Sequence, residues 1–109
     1  MTTERGDLLR GTLEMLILRS LEDDAMHGYG ITERLQNISA EVLTVDEGSL
    51  YPALYRMQKR GWVTSKWGKS ENNRKARFYS ITKKGRAHLQ KASITWLKFS
   101  EAVSRAMAG

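Results

Sequence analysis

The stretch that most constrains this chain runs from Asp46 to Gly61, DEGSLYPALYRMQKRG. At 3.6 residues per turn, Leu50, Leu54 and Met57 fall at i, i+4 and i+7 and form one narrow apolar stripe. Gly48, Pro52, Tyr55, Arg56 and Lys59 occupy the opposite side, with Ser49 and Tyr51 on its shoulders. A buried face this thin, backed by hydroxyls, a proline and cations, suits a helix docked on a small domain to present its outer face to something anionic. Asp46, Gly48 or Ser49 can cap its start, with Pro52 in or next to the first turn, where the missing N–H costs little. Arg60 and Gly61 supply the end: a cation on the last carbonyls, then a residue able to turn left-handed. The stretch reads as a candidate DNA-recognition helix.

The remaining residues must support it, and their charge is divided. Residues 1–50 hold 4 Lys+Arg and 10 Asp+Glu, a net −6, whereas residues 51–109 hold 14 Lys+Arg and 2 Asp+Glu, a net +12. One face turned to a polyanion and another turned away accounts for this asymmetry. A merely solubilising surface is the competing account, but the cations begin inside the candidate helix and continue directly after it. The 109 residues suffice for one domain with a modest core. The absence of cysteine excludes disulfides, thiolate metal sites and cysteine nucleophiles. No apolar run approaches the roughly 20 residues of a membrane span and no signal peptide precedes Thr2, so a cytoplasmic protein with no membrane partner is expected.

Taken in order, residues 1–6 read as a flexible arm. From Asp7 to Leu21, Leu9, Leu13, Leu16, Ile17 and Leu21 keep helical spacing, and Leu8, Met15 and Leu18 add a second apolar side, so this helix is expected to be covered from two directions. Glu22-Asp23-Asp24 closes it as a solvated acidic turn. His27-Gly28-Tyr29-Gly30 opens the next helix, with Ile31, Leu35 and Ile38 spaced for burial. His27 stands far from His88, the only other histidine, without metal-ligand or catalytic spacing, which favours a cap or packing role. Tyr29 can reach a phosphate or simply pack. Residues 39–44 connect to the central helix, with Val42, Leu43 and Val45 as a short extended segment. Three short helices, the third with a polar outer face, fit the helix-turn-helix plan.

After Gly61 the period changes. Residues 62–67 (WVTSKW) and 76–81 (ARFYSI) have the β-branched and aromatic content of strands, joined by a basic loop, GKSENNRK, over 68–75. The pair reads as a wing whose Lys69, Asn72, Asn73, Arg74 and Lys75 meet a nucleic-acid backbone or minor groove, against the alternative of a solvated hairpin tip. Thr82 then caps a helix from Lys83 to about Met107. Leu89, Ala92, Trp96, Phe99, Val103 and Ala106 alternate at spacings of 3 and 4, a heptad seam. Ile94 and Leu97 lie off it. Such a seam can fold back or pair with its copy; a chain this short would struggle to cover Trp96 and Phe99 alone, which favours a homodimer.

These segments together resemble the PadR-type transcriptional regulators of the short class with a single C-terminal helix. The resemblance rests on LLRGTLEMLILRSL (8–21), HGYGI (27–31), EGSLYPALYRM (47–57), WGKSENNRKARFY (67–79) and ITKKGRAHL (81–89), in order over nearly the whole chain. It implies an α+β, mainly helical fold: a winged helix-turn-helix domain over 1–82 with a two-stranded wing, and a dimerisation helix over 83–109. It further implies a repressor bound to double-stranded DNA at an inverted repeat, each recognition helix in a major groove. Asn73 departs from the glycine that relatives often carry in the wing turn, although asparagine tolerates the left-handed conformation. Some relatives accept flat aromatic molecules beside a tryptophan on the last helix; Trp96 and Phe99 can line such a site or fill the dimer core.

The expected contacts are Ser49, Tyr51, Pro52, Tyr55, Arg56 and Lys59 in the major groove, with Tyr29 and the wing residues on flanking backbone. No metal, cofactor or catalytic residue is expected, because no catalytic constellation exists and most carboxylates lie in the acidic half. The alternative outside this class is a winged helix used for protein–protein contact.

Overall fold

The computed structural model describes the backbone of residues 4–109 and the side chains of residues 12–109. In chain order the elements are α1 (Glu4–Ser20), β1 (Met26–His27), α2 (Gly28–Ile38), α3 (Glu47–Lys59), β2 (Val63–Lys69), β3 (Lys75–Ile81) and α4 (Lys83–Ala108). Helix α1 begins three residues before the expected Asp7, so residues 4–6 are helix rather than arm; residues 1–3 and the side chains of Leu8 and Leu9 lie outside the described residues.

Three helices and the sheet bury one core. α1 contributes Leu13, Ile17, Leu18 and Leu21; α2 contributes Ile31 and Leu35; α3 contributes Leu50, Ala53, Leu54 and Met57; Val63, Tyr79 and Leu89 close it from β2, β3 and α4. The α3 stripe is therefore as expected, with Ala53 added. Leu18, on the second side of α1, is fully buried in this chain's own core. Ile38, spaced for burial, lies past the core at the exposed end of α2.

The sheet has three strands in the order β1-β3-β2, all antiparallel. β1 is an addition to the expected two-stranded wing. Met26 and His27 pair with Tyr79 and Phe78 and so tie the entrance of α2 to the wing; two residues carry no periodicity by which a strand can be read. Val42, Leu43 and Val45 lie in the connection after a left-handed turn at Ala40 (φ 52) and Glu41 (φ 68), outside the sheet.

Local chemistry sets both ends of α3. Asp46 is extended (φ −87, ψ 162), and its carboxylate accepts the Ser49 N–H at 2.8 Å, which resolves the capping residue in favour of Asp46. Arg60 closes the helix, and Gly61 turns left-handed at φ 79. The Trp62 N–H then reaches the Met57 carbonyl (2.9 Å) and the Gly61 N–H reaches the Gln58 carbonyl (3.0 Å), the paired bonds of a Schellman end. Pro52 is the sixth residue of α3, a little deeper than the first turn. There it removes the N–H that would bond to the Gly48 carbonyl, on the exposed side where water can replace it.

α4 starts at Thr82, whose hydroxyl accepts the Gly85 N–H at 3.0 Å and donates to the Gly61 carbonyl at 2.6 Å. One residue thus caps α4 and fastens it to the end of α3. With 26 residues, α4 is roughly 39 Å long. Its first turns are packed through Gly85 and Leu89, and from Ile94 onward every residue but the half-buried Ser100 is exposed.

Candidate nucleic-acid interface

The outer face of α3 is open. Ser49, Pro52, Tyr55, Arg56 and Lys59 are all exposed, Tyr55 at 64%. The Lys59 ammonium sits 5.2 Å from the Tyr55 ring centroid, so aromatic surface and cation form one unit at the centre of the face. The two flanks of the helix differ. On the wing side the Ser65 hydroxyl donates to Gln58 Oε1 at 3.3 Å, and Tyr51 lies against the start of α2. On the other side Arg56 and Arg60 both reach Glu14 of α1, at 3.5 and 3.1 Å.

Tyr51 is held by a close approach. A Cβ at Gly28 would overlap the Tyr51 hydroxyl and come within 2.7 Å of Cζ, so only glycine at the first residue of α2 leaves room for this phenol. Burial raises the phenol's pKa above 10.0, and the neighbouring Glu47 carboxylate and Tyr79 push the same way. Tyr51 is therefore a neutral donor throughout the physiological range.

His27 caps α2: its Nδ1 accepts the Gly30 N–H at 3.0 Å. The other ring nitrogen of the neutral imidazole then carries the proton, and it faces Glu71 Oε1 of the wing at 3.4 Å. The ring also packs edge-on against Phe78. The cap and packing role expected for His27 is what the geometry shows.

At the wing tip, the Ser70 N–H bonds to the Arg74 carbonyl and the Asn73 N–H to the Ser70 carbonyl, both at 2.9 Å. Asn73 adopts φ 59, so asparagine does take the left-handed position in the turn. The tight tip leaves Lys69 and Lys75 opposite each other at the ends of β2 and β3, with Asn72, Asn73 and Arg74 exposed between them. A concavity of about 620 Å³ separates this wing from the helices and brings Tyr29 and Tyr51 together with Asn72, Arg74 and Lys75. Ser49, Tyr55, Arg56 and Lys59 lie outside it, on the face of α3 itself.

Two residues of this surface escaped sequence reasoning. Trp67 is 59% exposed, with the Lys75 ammonium 4.9 Å and the Arg77 guanidinium 5.4 Å from its ring. Trp67 and Arg77 are paired across the strands. The cross-strand register would have found them, since residues directly opposite share a face.

Farther from this surface, α4 exposes Ile94, Trp96, Leu97, Phe99, Val103 and Met107, with Trp96 and Phe99 in ring contact at 6.3 Å. Of the heptad seam, Leu89 packs into its own chain's core, Ala92 is half-buried, and Trp96, Phe99, Val103 and Ala106 are open. Among the described residues no helix is long and apolar enough to cross a membrane.

A helix-turn-helix whose last helix exposes a polar face, followed by a basic wing, defines a winged-helix DNA-binding protein. The sequence matches the transcriptional regulator PadR-like family over residues 17–91, and the chain belongs to that family. It is a DNA-binding transcriptional regulator rather than an enzyme. Among solved structures, a PadR-like transcriptional regulator from Bacillus cereus is 31% identical, with TM-score 0.80 over 94% of this chain and 98% of the other. A transcriptional regulator from Clostridium thermocellum is 25% identical, with TM-score 0.82 over 91% and 96%. Bacillus subtilis PadR, in complex with operator DNA, shares the fold at 22% identity, with TM-score 0.68 over 76% of this chain and 48% of its own.

Proposed function

We propose that this chain is a homodimeric repressor that binds an inverted-repeat operator. The observation that carries the reading is the pairing of two exposed faces of opposite chemistry. The face of α3 is hydroxylic and cationic, and that of α4 beyond Ala92 is aromatic and aliphatic. The first suits a DNA groove. Tyr55 and Lys59 enter centrally, flanked by Ser49, Tyr51, Pro52 and Arg56, while Tyr29, Lys69, Asn72, Asn73, Arg74 and Lys75 hold flanking phosphates. Trp96, Phe99, Val103 and Ala106 suit a second copy of α4, because a contiguous apolar surface of this size is costly to leave in water. Two recognition helices related by a two-fold axis require half-sites about 34–36 Å apart, or a related helical spacing. A repressor of this kind works in the cytoplasm.

A second reading concerns regulation. Trp96 and Phe99 stand side by side on the open part of α4, an aromatic wall against which a flat aromatic molecule can stack at the dimer interface and release the operator. Saturable quenching of tryptophan fluorescence by aromatic compounds, lost in Trp96→Leu, supports this effector; identical titrations of the two proteins sink it.

Selection of duplexes from a random library tests the operator reading. Enrichment of a two-fold-symmetric site by a protein of dimeric mass is the expected result. An unenriched pool with weak, salt-independent binding would favour a winged helix that contacts proteins instead.

A further inference from the structure

The last turn of α3 and its C-cap carry three cations, Arg56, Lys59 and Arg60, but they are not equally available. Glu14, on α1, holds two of them: its carboxylate accepts from Arg60 Nη1 at 3.1 and 3.3 Å and lies 3.5 Å from Arg56 Nε. The Glu14 side chain is only 25% exposed, while Arg56 and Arg60 are half-exposed. Arg60 is held a second time, with its guanidinium 5.0 Å from the ring centroid of Trp62, which itself stacks on His88 of α4 at 3.7 Å. Among the described residues Lys59 has no carboxylate partner, only the Tyr55 ring. The carboxylate therefore sits between α1 and the flank of α3 that carries Arg56 and Arg60.

We propose that Glu14 is a positioning residue that competes with phosphate for Arg56, at the edge of the groove-facing surface, and so sets the charge α3 presents to DNA. The proposal rests on the reading of α3 as the DNA-facing helix. A protein carboxylate and a DNA phosphate compete for the same guanidinium: Glu14 holds Arg56 by an ion pair at 3.5 Å, and a phosphate would offer it charge-assisted hydrogen bonds. While Arg56 stays on Glu14, its contact adds little to counterion release. Once the carboxylate is neutralised, Arg56 becomes free to neutralise a phosphate, whereas Arg60 remains on Trp62. The gain is one contact rather than two. This device limits sequence-independent affinity and leaves a larger share of binding to the contacts that read bases.

The test is the salt dependence of binding to a fluorescent duplex of random sequence. For Glu14→Gln the slope of log affinity against log salt steepens by about 0.9. Binding tightens roughly four- to eightfold at 0.1–0.2 M salt if affinity at 1 M is unchanged. The effect vanishes in the Arg56→Ala background. Asp24→Asn removes the same charge from the exposed turn after α1, away from α3, and leaves the slope where it was.

A wild-type protein that binds with a clear salt slope, and a Glu14→Gln protein indistinguishable from it, would overturn this proposal alone. Tightening that persists without Arg56, or that Asp24→Asn reproduces, would overturn it too, because the effect would then be a general field. A wild type with no salt-dependent duplex binding removes both this proposal and the reading beneath it. Should thermal melting show Glu14→Gln to be unfolded, the single variants decide. Arg56→Ala then lowers the wild-type slope by clearly less than the about 0.9 lost in Lys59→Ala; equal losses contradict the proposal.

Discussion

Helices α3 and α4 are both amphipathic, yet what they leave exposed is opposite. α3 buries Leu50, Ala53, Leu54 and Met57 and turns serine, tyrosine, lysine and arginine outward. α4 buries Gly85 and Leu89 at its start and then exposes Ile94, Trp96, Leu97, Phe99, Val103 and Met107. Hydrophobic burial explains the inner face of each, but only the outer face distinguishes a helix that presents hydroxyls and cations from one that presents aromatic and aliphatic side chains. The same period therefore serves two purposes, and the chemistry of the unburied positions separates them.

The largest effect is expected where the apolar face is broken. Phe99→Glu places a charge among aromatic and aliphatic side chains, at a cost of several kcal/mol to association. It should leave a monomer by analytical ultracentrifugation while the helical signal of the domain persists. Retention of the dimer would move the second-copy interface off this face.

Next in size is Gly28→Ala. The added methyl meets Tyr51 at the junction of α2 and α3, and overpacking of this kind costs about 1–3 kcal/mol. Chemical denaturation measures the loss, and Tyr51→Ala in the same chain should recover part of it.

Lys69→Ala touches neither the core nor the apolar face of α4. It should weaken binding alike on all sequences and reduce the salt slope by about one. A changed base preference with an unchanged slope would move Lys69 from backbone to base contact.

The smallest effect concerns Tyr51 in alkali. Burial, with Glu47 and Tyr79, raises its pKa in the folded state above the ordinary 10.0, so folding disfavours the phenolate. The stability it contributes is whole below about pH 10 and falls as pH rises through the folded value. Tyr51→Phe should flatten that part of the alkaline denaturation curve, with the other tyrosines as background.

The two helices also show why some features are legible in a sequence and others are not. The ends of α3 are coded within a few residues of it, Asp46 before and Gly61 after, and its buried stripe repeats at one period, so the helix can be read almost to the residue. The wing strands and the Thr82 cap are equally local. β1 is only two residues long and exists because β3 lies beside it, and the turn at Ala40 and Glu41 adopts left-handed angles without glycine.

The fate of Arg56 is the clearest limit. Its place on α3 follows from spacing, but its partner Glu14 lies on a different helix 42 positions earlier. Nothing local marks that pairing, which joins α3 to α1. The exposure of Trp67 beside Lys75 and Arg77 likewise depends on strand register.

The central claim is that α3 faces DNA and α4 faces a second copy of the chain. It is tested most directly by measuring duplex binding across a range of salt concentrations while the protein's mass in solution is determined. A dimer whose log affinity falls steeply with log salt is the predicted result. A monomer with weak binding and a flat salt dependence would contradict it and would assign the basic half of the molecule to a different partner.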